Sequence, residues 1–133
     1  MKKTRISRRD SRERAVQILF SLDINKIDDI AEYLKDYQKE IYKLLTEDKY
    51  LLELLDGILK KQKEIDDVID EKLEFSIKSL DKVVLSVLRL GVYEILFEKL
   101  DKPLVISEAI NIIKKYGSSE NIKFVNAILD SVD

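Results

Sequence analysis

Cysteine and histidine are both missing from this chain of 133 residues. Without cysteine there is no disulfide, no thiolate ligand and no thiol nucleophile. That fits a reducing compartment, and the expected localisation is cytoplasmic. Without histidine the chain lacks the commonest general base and the commonest zinc ligand. Carboxylates alone could still do acid–base work, but the expectation is a protein that is not an enzyme and that carries no cofactor and no metal. Glycine is nearly absent too: Gly57, Gly91 and Gly117 stand alone and far apart, so no glycine-rich phosphate loop can be built. No apolar run approaches the ~18 residues of a membrane span. The start is basic, but no apolar stretch follows as in a signal peptide, and Asp10 and Glu13 disfavour a transit peptide.

What is present reads as globular and helical. Apolar residues make up 45% and charged residues 38%, which separates the chain from disordered sequences. Its length suits a single domain over 1–133, with 1–6 as a flexible basic arm. One proline leaves few breaks, and the apolar spacing is helical nearly throughout. The expected fold class is all-α, a single domain of about seven helices. The first begins near Ser7 or Asp10 and turns Ala15, Ile18, Leu19 and Leu22 inward. A second starts around Asp28 and carries Ile30, Leu34, Tyr37 and Ile41. A third follows Thr46, with Gly57 inside its pattern as a sign of close helix packing. A fourth follows a bend near Lys61–Lys63. A fifth, capped by Ser79, is apolar nearly all round from Val83 to Phe97, so it belongs at the centre. The sixth opens with Pro103 at its first position and ends at Gly117. Ser118 or Ser119 caps the last.

Charge is distributed unevenly. Lys2, Lys3, Arg5, Arg8, Arg9, Arg12 and Arg14 give the first fourteen residues a balance of +5, while the remainder sums to −7. Positive charge at a helix start opposes the macrodipole, so a helix tuned for stability alone would put acids there. Arginine offers a planar fork that matches phosphate oxygens and stacks on bases. A cluster at one helix end is an electrostatic footprint for nucleic acid, although charge runs are often only solvated surface. Near the other end, Lys123, Phe124 and Asn126 could hold a phosphate, stack a base and read an edge; Phe124 as plain core is the competing account. Arg89 and Glu108, charges inside apolar helices, are expected in ion pairs or tyrosine bonds that join helices.

Three runs resemble one family. RRDSRERAVQILF at the start, LDKVVLSVLRLGVYEI at 80–95 and PLVISEAINIIKKYGSSENIKFVNAILD at 103–130 are similar, in order and spacing, to the NusB family of transcription antitermination factors. Ser107 stands where that family's Ile-Asn-Glu-Ala element has Asn, and Ala127 where its final element has Gly. The resemblance implies two packed helical bundles without enzymatic activity. It implies binding of a single-stranded boxA-like RNA together with small-subunit ribosomal protein S ten (NusE), in an antitermination complex on RNA polymerase that supports ribosomal RNA synthesis. It carries RNA contact onto Arg8, Arg9 and Arg12, with Arg5 and Gln17 as neighbours. Lys123, Phe124 and Asn126 are assigned to the same face, with Phe124 and Phe20 as stacking rings. Glu94 is assigned to the protein partner. No membrane contact is expected, and a homodimer of the unbound protein is left open. The alternative is a protein-interaction helical adaptor whose basic first helix grips an acidic partner. A targeting domain of an RNA-modifying methyltransferase is disfavoured, since no glycine-rich cofactor fingerprint is present.

Overall fold

A computed structural model describes residues 7–26, 43, 47–116 and 118–133. Among the described residues there are six α-helices and no strand. They are α1 (Arg8–Ile24), α2 (Lys49–Lys60), α3 (Gln62–Lys72), α4 (Lys82–Leu96), α5 (Lys102–Tyr116) and α6 (Ser119–Asp130), with a short 3-10 turn at Ile77–Ser79. The helix expected from Asp28, the basic arm at 1–6 with Arg5, and Gly117 all lie outside the described residues.

Local chemistry explains where most helices begin. Ser7 caps α1 by accepting from the Asp10 amide at 3.1 Å. Asp48 caps α2, which does follow Thr46, by accepting from the Leu51 amide at 3.0 Å. Asp81, not Ser79, caps α4, because its carboxylate reaches the amides of both Val83 and Val84 at 2.9 and 3.1 Å. Ser118 caps α6. Lys61 forms the break between α2 and α3, as the spacing suggested. Pro103 sits in the first turn of α5, one residue inside its start, where its missing N–H costs nothing. Lys99, left-handed at φ 55°, turns the chain from α4 into α5.

The apolar helix α4 is central, packing against α1, α2, α3, α5 and α6. The pair α1–α2 lies on it as one bundle, and the pair α5–α6 as another. Val84, Leu85, Val87, Leu88 and Val92 of α4 are buried between them. Such burial removes each side chain from water for about 1.5–3 kcal/mol. Gly57 of α2 is where Tyr93 of α4 crosses: a Cβ there would collide with the Tyr93 ring. Close packing is thus the reason for that glycine, as its position inside a helical pattern predicts.

Two ion-pair systems fasten the neighbours of α4. Arg89 of α4 donates as a fork to Asp66 of α3, both bonds at 2.9 Å, and approaches Asp23 of α1 at 3.4 Å. Burial pulls the Arg89 pKa down, but its bonds to Asp66 and the charge of Asp23 more than offset this. The expected pairing of Arg89 is present and joins three helices. Arg12 and Glu94 form the second system, and they belong to the site.

Candidate nucleic-acid interface

The first turns of α1 carry four arginines, and the helix sends them in different directions. Arg8 lies exposed, its guanidinium 4.6 Å from the centre of the Tyr50 ring on α2. Arg9 is exposed over 64% of its side chain and crosses to α5. There its Nε donates to Glu108 Oε2 and its Nη2 to Glu108 Oε1, each at 3.1 Å. These bonds and the Glu108 charge raise the Arg9 pKa. Glu108 therefore has the buried-acid role its place in an apolar helix suggested. Arg14, half-buried, meets Asp48 at 3.2 Å, alongside the Ser11 hydroxyl that donates to the same carboxylate.

Arg12 is different. Its side chain is only 6% exposed and that of Glu94 only 2%. Its Nε donates to both Glu94 oxygens at 3.0 and 2.9 Å, and the Tyr50 hydroxyl donates to Glu94 Oε2 at 3.1 Å. Burial raises the Glu94 pKa, and Arg12 pulls it back only in part. Burial, reinforced by Glu94, also raises the Tyr50 hydroxyl, so Tyr50 remains a neutral donor. This corrects two expectations. As whole residues Arg12 and Glu94 are 5% and 1% exposed and pair inside the molecule, so neither stands open on the surface to a ligand or a partner. Both assignments come from the resemblance, and a matching motif does not distinguish a surface group from a buried pair.

Farther along α1, the seam with α5 continues. Glu13 accepts from Lys115 at 2.7 Å, and the exposed Gln17 donates from Nε2 to the Tyr116 hydroxyl at 3.0 Å. Tyr116 is 46% exposed at the end of α5. Phe20 is half-buried one turn beyond Gln17. The seam therefore presents, in order, Arg9, then Lys115, then Gln17 with Tyr116, then Phe20, while Arg8 lies on the α2 side of the same first turn. Nothing in the sequence singles out Tyr50; Lys115 and Tyr116 stand in the KKYG end of the sixth expected helix, inside a run that resembles the family, but without a site role. All three lie far along the chain from α1.

The C-terminal trio is not one cluster. Lys123 is exposed. Phe124 stacks on Phe75, with ring centres 6.3 Å apart at 24°. It lines a depression of about 350 Å³ with Leu80, Asp81 and Val84 at the head of α4. Asn126 lies on the opposite flank of α6. It lines a groove of about 510 Å³ against α5 with Lys102, Ser107, Asn111 and Lys114. Residues two apart on a helix diverge by ~200°, so a stacking ring and a reading amide at 124 and 126 cannot share a face. Ser107, the shortened family position, opens into that same groove.

Among the described residues no group of acids could hold a metal ion, and no helix is long and apolar enough to cross a membrane.

Comparison with known proteins bears on this surface. The model of the NusB family matches residues 9–133. The transcription antitermination protein NusB of Macrococcus caseolyticus is 33% identical over 128 residues, covering 96% of each chain. That of Listeria innocua is 32% identical over 129 residues, again covering 96% of each. A solved structure of T. maritima NusB has a TM-score of 0.78 at 33% identity, covering 97% of this chain and 92% of its own. A NusB solved with NusE and double-stranded RNA has a TM-score of 0.73 at 29% identity, covering 94% of each chain.

Proposed function

Because this chain belongs to the NusB family, we propose that it is a non-catalytic, RNA-binding transcription antitermination factor whose RNA contact starts at the first turn of α1 and runs on along the α1–α5 seam. The observation that carries the reading is the pair Arg8 and Arg9, exposed on the first turn of α1 and each held in place by a neighbour. The first turn of a helix offers unpaired amides and the positive end of the dipole. Arginines there are a mild liability in the free protein. A bound phosphate turns the same arrangement to advantage, since it meets both the amides and the guanidinium edges. Phosphate contacts position a strand without reading it. Reading falls to groups farther along the seam: Gln17 as an amide, with Tyr116 and Phe20 as rings on which unpaired bases stack. Arg12 and Glu94 support this surface from beneath.

A related NusB has been solved together with NusE and RNA. That likeness supports a joint site here, formed with small-subunit ribosomal protein S ten on a boxA-like strand. The partner must be met by groups other than Glu94.

Fluorescence anisotropy with a short boxA RNA, a scrambled strand and the corresponding duplex tests this, at several salt concentrations and with and without the ribosomal protein. The expected result is preference for the boxA strand, strengthened by the protein partner. Equal binding to the scrambled strand, or tighter binding to an acidic peptide than to any RNA, would reject it in favour of the protein-interaction adaptor.

A further inference from the structure

Arg8 and Arg9 are adjacent, yet their donors are committed differently. Both Nε and one terminal nitrogen of Arg9 are occupied by Glu108. Among the described residues Arg8 is in no ion pair; its Cζ lies 4.6 Å from the centre of the Tyr50 ring. A guanidinium stacked on a ring is held through its face, and its N–H groups point outward from its edge. A carboxylate partner neutralises the charge and fills the edge, whereas a ring does neither. Tyr50 is itself fixed. It stands in the first turn of α2, half-buried, with its hydroxyl bonded to Glu94 at 3.1 Å, and Glu94 is locked by Arg12. Arg12, one helical turn after Arg8, lies 6.0 Å from the same ring. Glu98, just beyond the end of α4, feels the Arg8 charge without a bond to it.

Resting on the RNA reading above, we propose that Tyr50 is a positioning residue for that contact: its ring holds Arg8 with the guanidinium edge free, which makes Arg8 the principal phosphate ligand of the first turn. The buried Arg12–Glu94 pair lies beneath the ring and accepts its hydroxyl, while half-burial of the ring itself keeps it in place.

The test uses the full chain with the boxA single strand, measuring affinity against salt for wild type, Tyr50→Phe, Tyr50→Leu, Arg8→Ala and the double variant Arg8→Ala/Tyr50→Leu. Tyr50→Leu is expected to weaken binding about two- to fivefold, the value of an exposed cation–ring contact. It should also flatten the salt slope by up to about 0.7, one phosphate's share for a single strand. Tyr50→Phe keeps the ring and should keep most of the affinity and the whole slope. In the Arg8→Ala background, Tyr50→Leu should have no further effect. Nitrogen relaxation at Arg8 Nε in the free protein should show an ordered side chain in wild type and Tyr50→Phe, and a mobile one in Tyr50→Leu. Should Tyr50→Leu fail to fold, Arg8→Lys takes its place: it retains the charge but not the plane, and a twofold or greater loss is expected.

Additive effects of Arg8→Ala and Tyr50→Leu would overturn the inference while leaving the RNA reading intact. So would an Arg8 Nε equally mobile in all variants, or wild-type affinity in Arg8→Lys. Unchanged RNA affinity on removal of both Arg8 and Arg9 would instead overturn the RNA reading itself.

Discussion

Arg8, Arg9, Arg12 and Arg14 occupy one short stretch of α1, and the structure gives each a different task. Helical geometry sets Arg12 against α4 and Arg9 against α5, while Arg8 meets Tyr50 of α2 and Arg14 meets Asp48 at the head of α2. Arg12→Ala would strand Glu94 as a buried charge with only the Tyr50 hydroxyl for company. Breaking a buried pair from one side costs about 3–5 kcal/mol, so urea unfolding of Arg12→Ala should show a loss of that size. Arg8→Ala should leave the unfolding midpoint nearly unchanged and act on RNA affinity instead. Arg9→Ala should do both in smaller measure, because it removes an RNA-facing guanidinium and leaves Glu108, only 10% exposed, without its partner. Equal unfolding midpoints for Arg8→Ala and Arg12→Ala would contradict this division.

At the scale of elements, α2 is the piece that turns a basic helix into an ordered surface. Asp48 caps it, accepts the Ser11 hydroxyl at 2.8 and 2.9 Å, and pairs with Arg14, so one buried carboxylate sets where α2 starts and how it docks on α1. Asp48→Ala removes a cap and the charged acceptor of a buried hydroxyl, leaving Ser11 only its 3.2 Å bond to the Ser7 carbonyl, together about 2–4 kcal/mol. Calorimetry should show that loss, and RNA affinity should fall with it, since Tyr50 stands two residues on. Gly57, at the other end of α2, has the opposite constraint. Alanine there gains helix propensity of up to ~1 kcal/mol, but its methyl collides with Tyr93. Overpacking of that kind costs about 1–3 kcal/mol, so Gly57→Ala should be destabilised in denaturant. Tyr93→Leu in the same chain should recover part of the loss.

Across the whole molecule, α4 is shared by every other described helix, so no bundle can detach without exposing it. Thermal unfolding is accordingly expected as one transition. A ligand that binds only the folded chain at 100 times its dissociation constant adds about 2.7 kcal/mol. The boxA strand should therefore raise the melting temperature, and a scrambled strand at the same concentration should do so less. The sequence by itself determined the helical class, the central place of α4, the break at Lys61, the tight crossing at Gly57 and the concentration of cations on α1. Each of these follows from periodicity, from a missing side chain or from charge along a contiguous stretch. Only the tertiary structure decided which of the four described arginines of α1 stands outside an ion pair. It paired Arg12 with Glu94 and Arg9 with Glu108, laid Arg8 on Tyr50, brought Tyr116 to Gln17, and sent Phe124 and Asn126 to opposite flanks of α6. Those outcomes depend on partners distant along the chain and on how three helices face one another, and a linear pattern of charges does not contain that information.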